Sequence, residues 1–252
     1  MGPILRVNNL TKVFTRKGQP DFTAVDHISF AVEPGQCLGI IGESGSGKST
    51  VANLITRLID PTEGQIILDG EDITRLRGRQ LQEAYRKMQM VFQTPTESFD
   101  PRHTLGDGVG ENLRNFGHSR STVREQVARL LKQCGLPADF AKRYPHQVSG
   151  GQCQRAAIAR AIAIKPKLLI CDEATSALDV TIQTEILALL SDLRRELNLS
   201  ILFICHDIAL VQQFCDRVLV MVRGRIVEEG VPDEVIRNPR NDYTKRLIES
   251  IL

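Results

Sequence analysis

A run of glycine, serine and lysine in the first quarter of the chain has the residue types and spacing of a phosphate-binding site. Residues 42–50 match the pattern G-x-x-x-x-G-K-[ST] at every fixed position. Glycines let the backbone approach an anion closely, Lys48 brings a positive charge for the β- and γ-phosphates, and the Ser49 hydroxyl can ligate Mg²⁺. The simpler alternative, a tight turn with an exposed lysine, does not explain the full match. We expect the whole loop to contact the ligand: Gly42, Glu43, Ser44, Gly45, Ser46, Gly47, Lys48, Ser49 and Thr50.

Two neighbouring carboxylates follow a second apolar run. Asp172 and Glu173 end the segment 167–173, and successive strand residues point to opposite faces, so the two acids cannot do the same work. Beside a phosphate loop, Asp172 suits Mg²⁺ coordination and Glu173 suits polarising a water for attack. Two solvated acids at a strand end are the alternative. His206 ends another apolar run, 201–205, where it is expected near the phosphates rather than as a helix cap or core histidine.

Two further features allow both a binding and a structural interpretation. Residues 148–152, Val-Ser-Gly-Gly-Gln, open a predicted helix over 153–164, which makes a second anion-binding helix N-terminus or a helix capped by Ser149. Phe14 lies between the first strand and a polar loop, 15–21. It is either a stacking platform for a purine or an aromatic side chain that packs under the loop.

The elements that must position these residues follow from apolar periodicity. The phosphate loop lies between a buried strand, 37–41, and a helix, 51–59, that Asp60-Pro61 closes. Residues 122–134 have the period of a helix, and prolines and glycines punctuate the stretch around them. We expect one domain over 1–252, with an α/β core from 1–93 and 166–252 and an inserted helical subdomain from 94–165. The other predicted elements are strands at 4–7, 28–32, 64–70, 88–93, 167–171 and 201–205, a helix at 180–197, a hairpin of 218–222 with 225–228, and a helical tail from 232.

Composition excludes several classes of protein. The 252 residues are 42% hydrophobic and 25% charged, which is ordinary for a globular chain. A net charge of +2 gives no reason to expect nucleic-acid binding. The start carries no signal-peptide pattern and no apolar run approaches the length of a membrane span, so we expect the protein to stay in the cytosol. The six cysteines have no metal-binding spacing and are predicted to be reduced structural thiols.

In this order, the motifs resemble the nucleotide-binding subunit of ATP-binding-cassette (ABC) transporters. The resemblance covers Phe14 to His206 and rests on 42–50, Gln93, 148–152, 168–173, 176–179 and His206. It implies a P-loop NTPase core with an antiparallel β subdomain and a helical subdomain, and ATP and Mg²⁺ as ligands. By this resemblance, Phe14 would stack on adenine, and Gln93 would bridge Mg²⁺ and the attacking water to the membrane partner. Asp172 would bind Mg²⁺, Glu173 would be the general base, and His206 would contact the γ-phosphate. Nucleotide contacts across a dimer are implied for Ser149, Gly150, Gly151, Gln152 and Asp179.

Several stretches are similar to the peptide and nickel importers within that family. These are residues 99–104, residues 144–146 and Asn238-Pro239 with Tyr243-Thr244. The resemblance implies two transmembrane permease subunits, a second homologous ATPase or a second copy of this chain, an extracytoplasmic solute-binding protein and a place on the cytoplasmic face of the membrane. Departures from the usual pattern are Val148 for leucine, Cys153 for arginine, Cys205 for threonine, and Asn241-Asp242 for His-Pro.

Other classes of ATPase share part of this pattern. A cassette acting on DNA or ribosomes usually carries two cassettes or a long coiled insertion, and an export-type cassette is usually fused to transmembrane helices. A small-molecule kinase or GTPase shares 42–49 but has no use for 148–152. The motif set therefore favours the importer, and it leaves the solute open between peptides, nickel and metal chelates.

Overall fold

The strands of the computed structural model, which describes residues 2–15, 18, 20–176 and 178–249, form two sheets. The strands are β1 (Leu5–Phe14), β2 (Phe22–Val32), β3 (Cys37–Ile41), β4 (Glu63–Leu68), β5 (Glu71–Asp72), β6 (Met88–Val91), β7 (Leu168–Asp172), β8 (Ser200–Ile204), β9 (Arg217–Val222) and β10 (Arg225–Gly230). The helices are α1 (Lys48–Ile55), α2 (Gly78–Lys87), α3 (Leu105–Val109), α4 (Glu111–Asn115), α5 (Arg120–Gln133), α6 (Gly150–Ile162), α7 (Val180–Leu197), α8 (Ile208–Phe214), α9 (Pro232–Arg237) and α10 (Asp242–Glu249), with 3₁₀ turns at Ala138–Lys142 and Pro145–Gln147.

The first sheet is antiparallel, in the order β2-β1-β4-β5. Its strands alternate buried and exposed residues over much of their length, so one face is apolar. That face contributes Leu5, Val25 and Ile66 to a core that also contains Leu54 of α1 and Ile40 of β3. The antiparallel sheet therefore packs over α1 and one face of the second sheet.

The second sheet has the order β10-β9-β3-β8-β7-β6, and the pairs of β3 with β8 and β9, β7 with β8, and β6 with β7 are parallel. Strands β3, β7 and β8 are buried along their whole length, as expected where both faces of a parallel sheet are covered. Their carboxyl ends meet at one edge. This edge brings the phosphate loop, the Asp172–Glu173 pair and His206 to the same end of the sheet.

Helical elements connect β6 to β7. They include α5, which confirms the helix expected at 122–134 within one or two residues at each end. Buried residues of this stretch, such as Leu131 and Ile158, belong to the same hydrophobic cluster as Leu169 and Ile201 on the other face of the parallel sheet. The division into 1–93, 94–165 and 166–252 stays a prediction. Of the helices in the described ranges, none has the length and apolar character of a membrane span.

The helix after the phosphate loop differs from the sequence expectation of 51–59. It begins at Lys48 and ends at Ile55, because Arg57 takes a left-handed conformation with φ 59°. The N–H of Arg57 donates to the carbonyl of Leu54, and the N–H of Leu58 donates to that of Asn53, which is a Schellman ending. Helix α6 likewise begins three residues before the predicted 153, because Ser149 caps it.

Candidate functional site

The phosphate loop curls between the end of β3 and the start of α1. Gly47 is the N-cap of α1 with φ 106°, and it has no side chain with which to bond the first N–H groups of the helix. A Cβ at Gly47 would come 2.5 Å from the carbonyl oxygen of Ala24, so glycine is required there for a second reason. The first turn of α1 therefore presents backbone donors at the positive end of a helix, which suits a phosphate.

The ammonium of Lys48 is held inside the loop. Its Nζ donates to the carbonyl oxygens of Gly42 at 2.7 Å and Glu43 at 3.0 Å, and the residue is 4% exposed. Burial lowers the pKa of Lys48, while the negative charges of Glu173 and Asp172 act in the opposite direction. A cation in a curl of backbone beside free helix donors matches the requirements of a polyphosphate.

Ser49 and Asp172 meet where β7 ends beside α1. The Ser49 hydroxyl donates to Asp172 Oδ1 at 3.0 Å. Burial raises the pKa of Asp172, and the hydrogen bond from Ser49 opposes the rise. A hydroxyl and a mostly buried carboxylate are hard oxygen donors next to a phosphate site, so this pair fits a magnesium ion that keeps several of its waters.

Glu173 turns away from Asp172 and joins a different group. Its backbone has φ 48°, and its N–H donates to the carbonyl of Ile204. Gln93 Nε2 donates to Glu173 Oε2 at 2.8 Å and lies 3.4 Å from the Ser176 hydroxyl. The glutamine that follows β6 is thus connected directly to the carboxylate that follows β7.

The remaining predicted site residues lie at the ends of other elements. Within the described ranges, no hydrogen bond joins them to the phosphate loop. Ser149 and Gln152 form a reciprocal capping box on α6, and Asp179 caps α7 by accepting from the N–H of Ile182. His206 is exposed between β8 and α8. Phe14 ends β1 opposite Phe22, and Lys12 Nζ lies 5.0 Å from the centre of its ring. Ala177, within the predicted segment 176–179, lies outside the described residues.

Sequence reasoning missed two neighbours of the site. Ser176 belongs to the motif at 176–179, but no local sequence pattern predicts its contact with Gln93, because 83 residues separate the two. Tyr243 was noted only as a subfamily feature, yet its hydroxyl accepts a hydrogen bond from the N–H of Glu43 at 3.1 Å. No spacing pattern predicts a contact between residues that are 200 positions apart.

Comparison with known proteins identifies the family. The model of the family described as ABC transporter matches residues 25–176, which is more than half of the chain. The chain belongs to the ABC transporter family. Two relatives of this ABC ATPase are a probable peptide ABC transporter ATP-binding protein of Sinorhizobium fredii, 45% identical over 97% of the chain and 71% of that protein, and an oligopeptide transport ATP-binding protein of Salmonella typhimurium, 45% identical over 90% of the chain and 69% of that protein.

Solved structures confirm the fold class of the ABC ATPase. A dimeric post-hydrolysis state of the ATP-binding cassette MJ0796 bound to ADP and Pi superimposes with a TM-score of 0.83, at 31% identity over 90% of this chain and 98% of that one. The cassette cbiO1 from Clostridium perfringens, part of the ABC transporter complex cbiONQ, gives 0.81 at 30% identity over 98% and 99%. The predicted combination of a P-loop core, an antiparallel sheet and a helical segment is the fold of these cassettes.

Proposed function

We propose that this ABC ATPase binds Mg-ATP and hydrolyses it to energise the import of peptides through a membrane permease. The observation that carries the proposal is the 45% identity to a probable peptide transporter subunit over 97% of the chain. Such coverage includes the helical stretch and the C-terminal helices, not the phosphate loop alone. Nickel and metal chelates are the alternative solutes, because residues 99–104 and 144–146 are similar to both peptide and nickel importers. The growth test below distinguishes these solutes.

ATP binding rests on the loop and on α1. The N–H groups at the start of α1 and the Lys48 ammonium bind the β- and γ-phosphates, and Phe14 stacks on the adenine. Ser49 and Asp172 would hold Mg²⁺, together with the amide oxygen of Gln93. When bound, this ion neutralises charge on the phosphates as the phosphoryl group is transferred.

Hydrolysis depends on the group around Glu173. We infer that Glu173 accepts a proton from the attacking water and that Gln93, which donates to Glu173 Oε2 at 2.8 Å, orients that carboxylate. His206 contacts the γ-phosphate from the end of β8. Positioning and charge stabilisation supply most of the acceleration in phosphoryl transfer. The hydrogen bond from Gln93 therefore contributes by fixing where the Glu173 carboxylate meets the water.

The second anion-binding turn needs a partner. Helices α1 and α6 begin in different parts of the fold. We propose that Ser149, Gly150 and Gly151 contact ATP bound to an opposing ATPase. Gln152 and Asp179 would support that interface. The opposing subunit is a homologous ATPase or a second copy of this chain. Two permease subunits and an extracytoplasmic binding protein complete the assembly, which places this chain at the cytoplasmic face of the membrane.

Glu173→Gln tests the hydrolytic role. The amide keeps the size of the side chain and removes its basicity, so we expect ATP to bind with unchanged affinity while turnover falls roughly 10²-fold or more. Lys48→Ala is the matched control, which loses the cation and should bind ATP weakly. The measurements are nucleotide titration and phosphate release with magnesium. If Glu173→Gln hydrolysed ATP at the wild-type rate, a group other than Glu173 would be the general base.

The solute is tested by deleting the gene and supplying each class in turn. We expect loss of growth when peptides are the required amino-acid source, and normal growth at limiting nickel. A plasmid carrying the wild-type gene should restore growth, and one carrying Glu173→Gln should not. The reverse pattern, with growth lost only at limiting nickel, would replace peptides by nickel as the solute.

A further inference from the structure

The C-terminal helix contacts the phosphate loop through one side chain. The N–H of Glu43 donates to the hydroxyl of Tyr243, on α10, at 3.1 Å. The ring of Tyr243 is partly buried and packs against the larger hydrophobic cluster. Burial, with the nearby charge of Glu43, raises the pKa of the Tyr243 hydroxyl, which is therefore neutral at cellular pH. A neutral phenol oxygen is a suitable acceptor for a backbone N–H.

The Gly42–Glu43 peptide group that Tyr243 meets also holds the Lys48 ammonium, because its carbonyl oxygen, that of Gly42, accepts from Lys48 Nζ at 2.7 Å. The carbonyl oxygen of Glu43 accepts from Lys48 Nζ at 3.0 Å and from the N–H of Ser46 at 3.2 Å. Bonds on both sides of Glu43 thus fix its orientation: Tyr243 holds the amide side, and Lys48 with Ser46 holds the carbonyl side. Rotation of this residue would displace the Glu43 carbonyl, and the Lys48 ammonium would lose one of its two backbone acceptors.

Tyr243 itself is firmly positioned. Its N–H donates to Asn241 Oδ1 at 2.8 Å, and the carboxylate of Glu228 on β10 accepts from the N–H groups of Arg240 at 2.8 Å and Asn241 at 3.0 Å. Ile248 anchors the other end of α10 in the core. The chain before α10 is therefore fixed to the sheet, and the hydroxyl reaches the loop from a rigid support.

We propose that Tyr243 is a positioning residue of the phosphate-binding loop, which fixes the peptide of Glu43 and through it the ammonium of Lys48. The inference rests on the proposed function, because the ligand that benefits is the polyphosphate of ATP. Through Tyr243, helix α10 would then affect the affinity for ATP, although Tyr243 is 200 residues away from Glu43 in the chain.

Tyr243→Phe removes the hydroxyl and keeps the ring. One neutral hydrogen bond contributes roughly 0.5–1.5 kcal/mol, which corresponds to a change of about 2- to 12-fold. We expect the KM and Kd for ATP to rise by that factor while kcat at saturating ATP stays near wild type, since Glu173, Gln93 and Asp172 are untouched. In the nucleotide-free protein, hydrogen exchange at the Glu43 amide should accelerate by a similar factor, as measured by mass spectrometry on a peptide that covers 41–48.

Two controls separate positioning from packing. Tyr85→Phe makes the same chemical change on α2 and should leave KM and exchange at 41–48 unchanged. Ile248→Ala loosens the packing of α10 and should lower the melting temperature more than Tyr243→Phe does. If Tyr243→Phe leaves Kd, KM and Glu43 exchange at their wild-type values, the positioning role is wrong. If wild-type protein does not bind ATP, the proposed function fails instead, and the exchange measurement still decides whether Tyr243 orders the loop.

Discussion

Replacing Gly42 should destabilise the protein much more than replacing its loop neighbour Gly45. Gly42 has φ 152°, and a Cβ there would lie 2.2 Å from the carbonyl oxygen of Met221 and 2.9 Å from Ser46 Oγ. Gly45 also has a positive φ, 79°, but a Cβ would meet nothing within 4 Å. Alanine at either position is conformationally strained, and only alanine at position 42 also collides with the backbone of β9.

The two contributions give separate magnitudes. A left-handed alanine costs about 1–2 kcal/mol, which is the expectation for Gly45→Ala. Alanine in the region near φ 150° is strained by roughly 1–3 kcal/mol, and the overpacking against Met221 adds about 1–3 kcal/mol. The free energy of unfolding should therefore fall by about 2–6 kcal/mol in Gly42→Ala.

Urea unfolding of nucleotide-free protein measures the difference. With a slope of about 3 kcal/mol per molar urea, the midpoint should move by roughly 0.5 M for Gly45→Ala and by roughly 0.7–2 M for Gly42→Ala. Gly70→Ala, with φ 80° and open space at its Cβ, is a control outside the loop and should match Gly45→Ala. Equal midpoints for Gly42→Ala and Gly45→Ala would refute the close approach of the loop to β9.

Two further predictions concern the dimer and the thiols. In a Glu173→Gln background, Ser149→Arg should abolish the ATP-dependent dimer seen by sedimentation and spare ATP binding by the monomer. Ser149→Ala loses the same helix cap, at a cost of about 1 kcal/mol, and so controls for the loss of stability. A dimer that persists in Ser149→Arg would contradict the shared site. Burial raises the pKa of Cys153 to about 11 and those of Cys134 and Cys205 to about 12. At pH 8 these three thiols should therefore react with a thiol reagent at least about 100-fold more slowly in native than in unfolded protein, with the rate rising as pH approaches these values. Mass spectrometry of the peptides that contain them measures the labelling, and rapid labelling of any of the three in native protein would show that its thiol is accessible.

Local patterns predicted the parts of this fold that local geometry determines. The strand at 37–41, the loop and a helix were predicted together because a single motif requires all three, and α7 was predicted at its observed bounds. Helix α2 was not predicted, because its apolar side is short. Leu81, Ala84 and Tyr85 have helical spacing and face the core, but the residues around them are mostly polar. The end of α1 was placed four residues late because a Schellman ending at a non-glycine residue, Arg57, has no clear sequence signal.

Long-range contacts could not be predicted from the sequence. The approach of Met221 to Gly42 and the bond between Glu43 and Tyr243 join segments about 180–200 residues apart. In the sheet, β3 lies between β8 and β9, which follow it by about 160–180 residues. The Gln93–Glu173 contact was not predicted, because the family resemblance implied only a separate role for each residue. Its geometry depends on how β6 and β7 pair in register, with Val91 opposite Cys171, and register is a property of the assembled sheet.

The central position of β3 has a consequence for how this protein is made. Both neighbours of β3 in the sheet, β8 and β9, come from the last quarter of the chain. A ribosome that adds about 5–20 residues per second needs roughly 10–40 s to proceed from residue 41 to residue 222. During that time the apolar segment Cys37–Ile41 has left the exit tunnel without its partners. Among the strands in the described ranges, the one that carries the phosphate loop therefore waits longest for a hydrogen-bonding partner, and its apolar residues stay unpaired for that time.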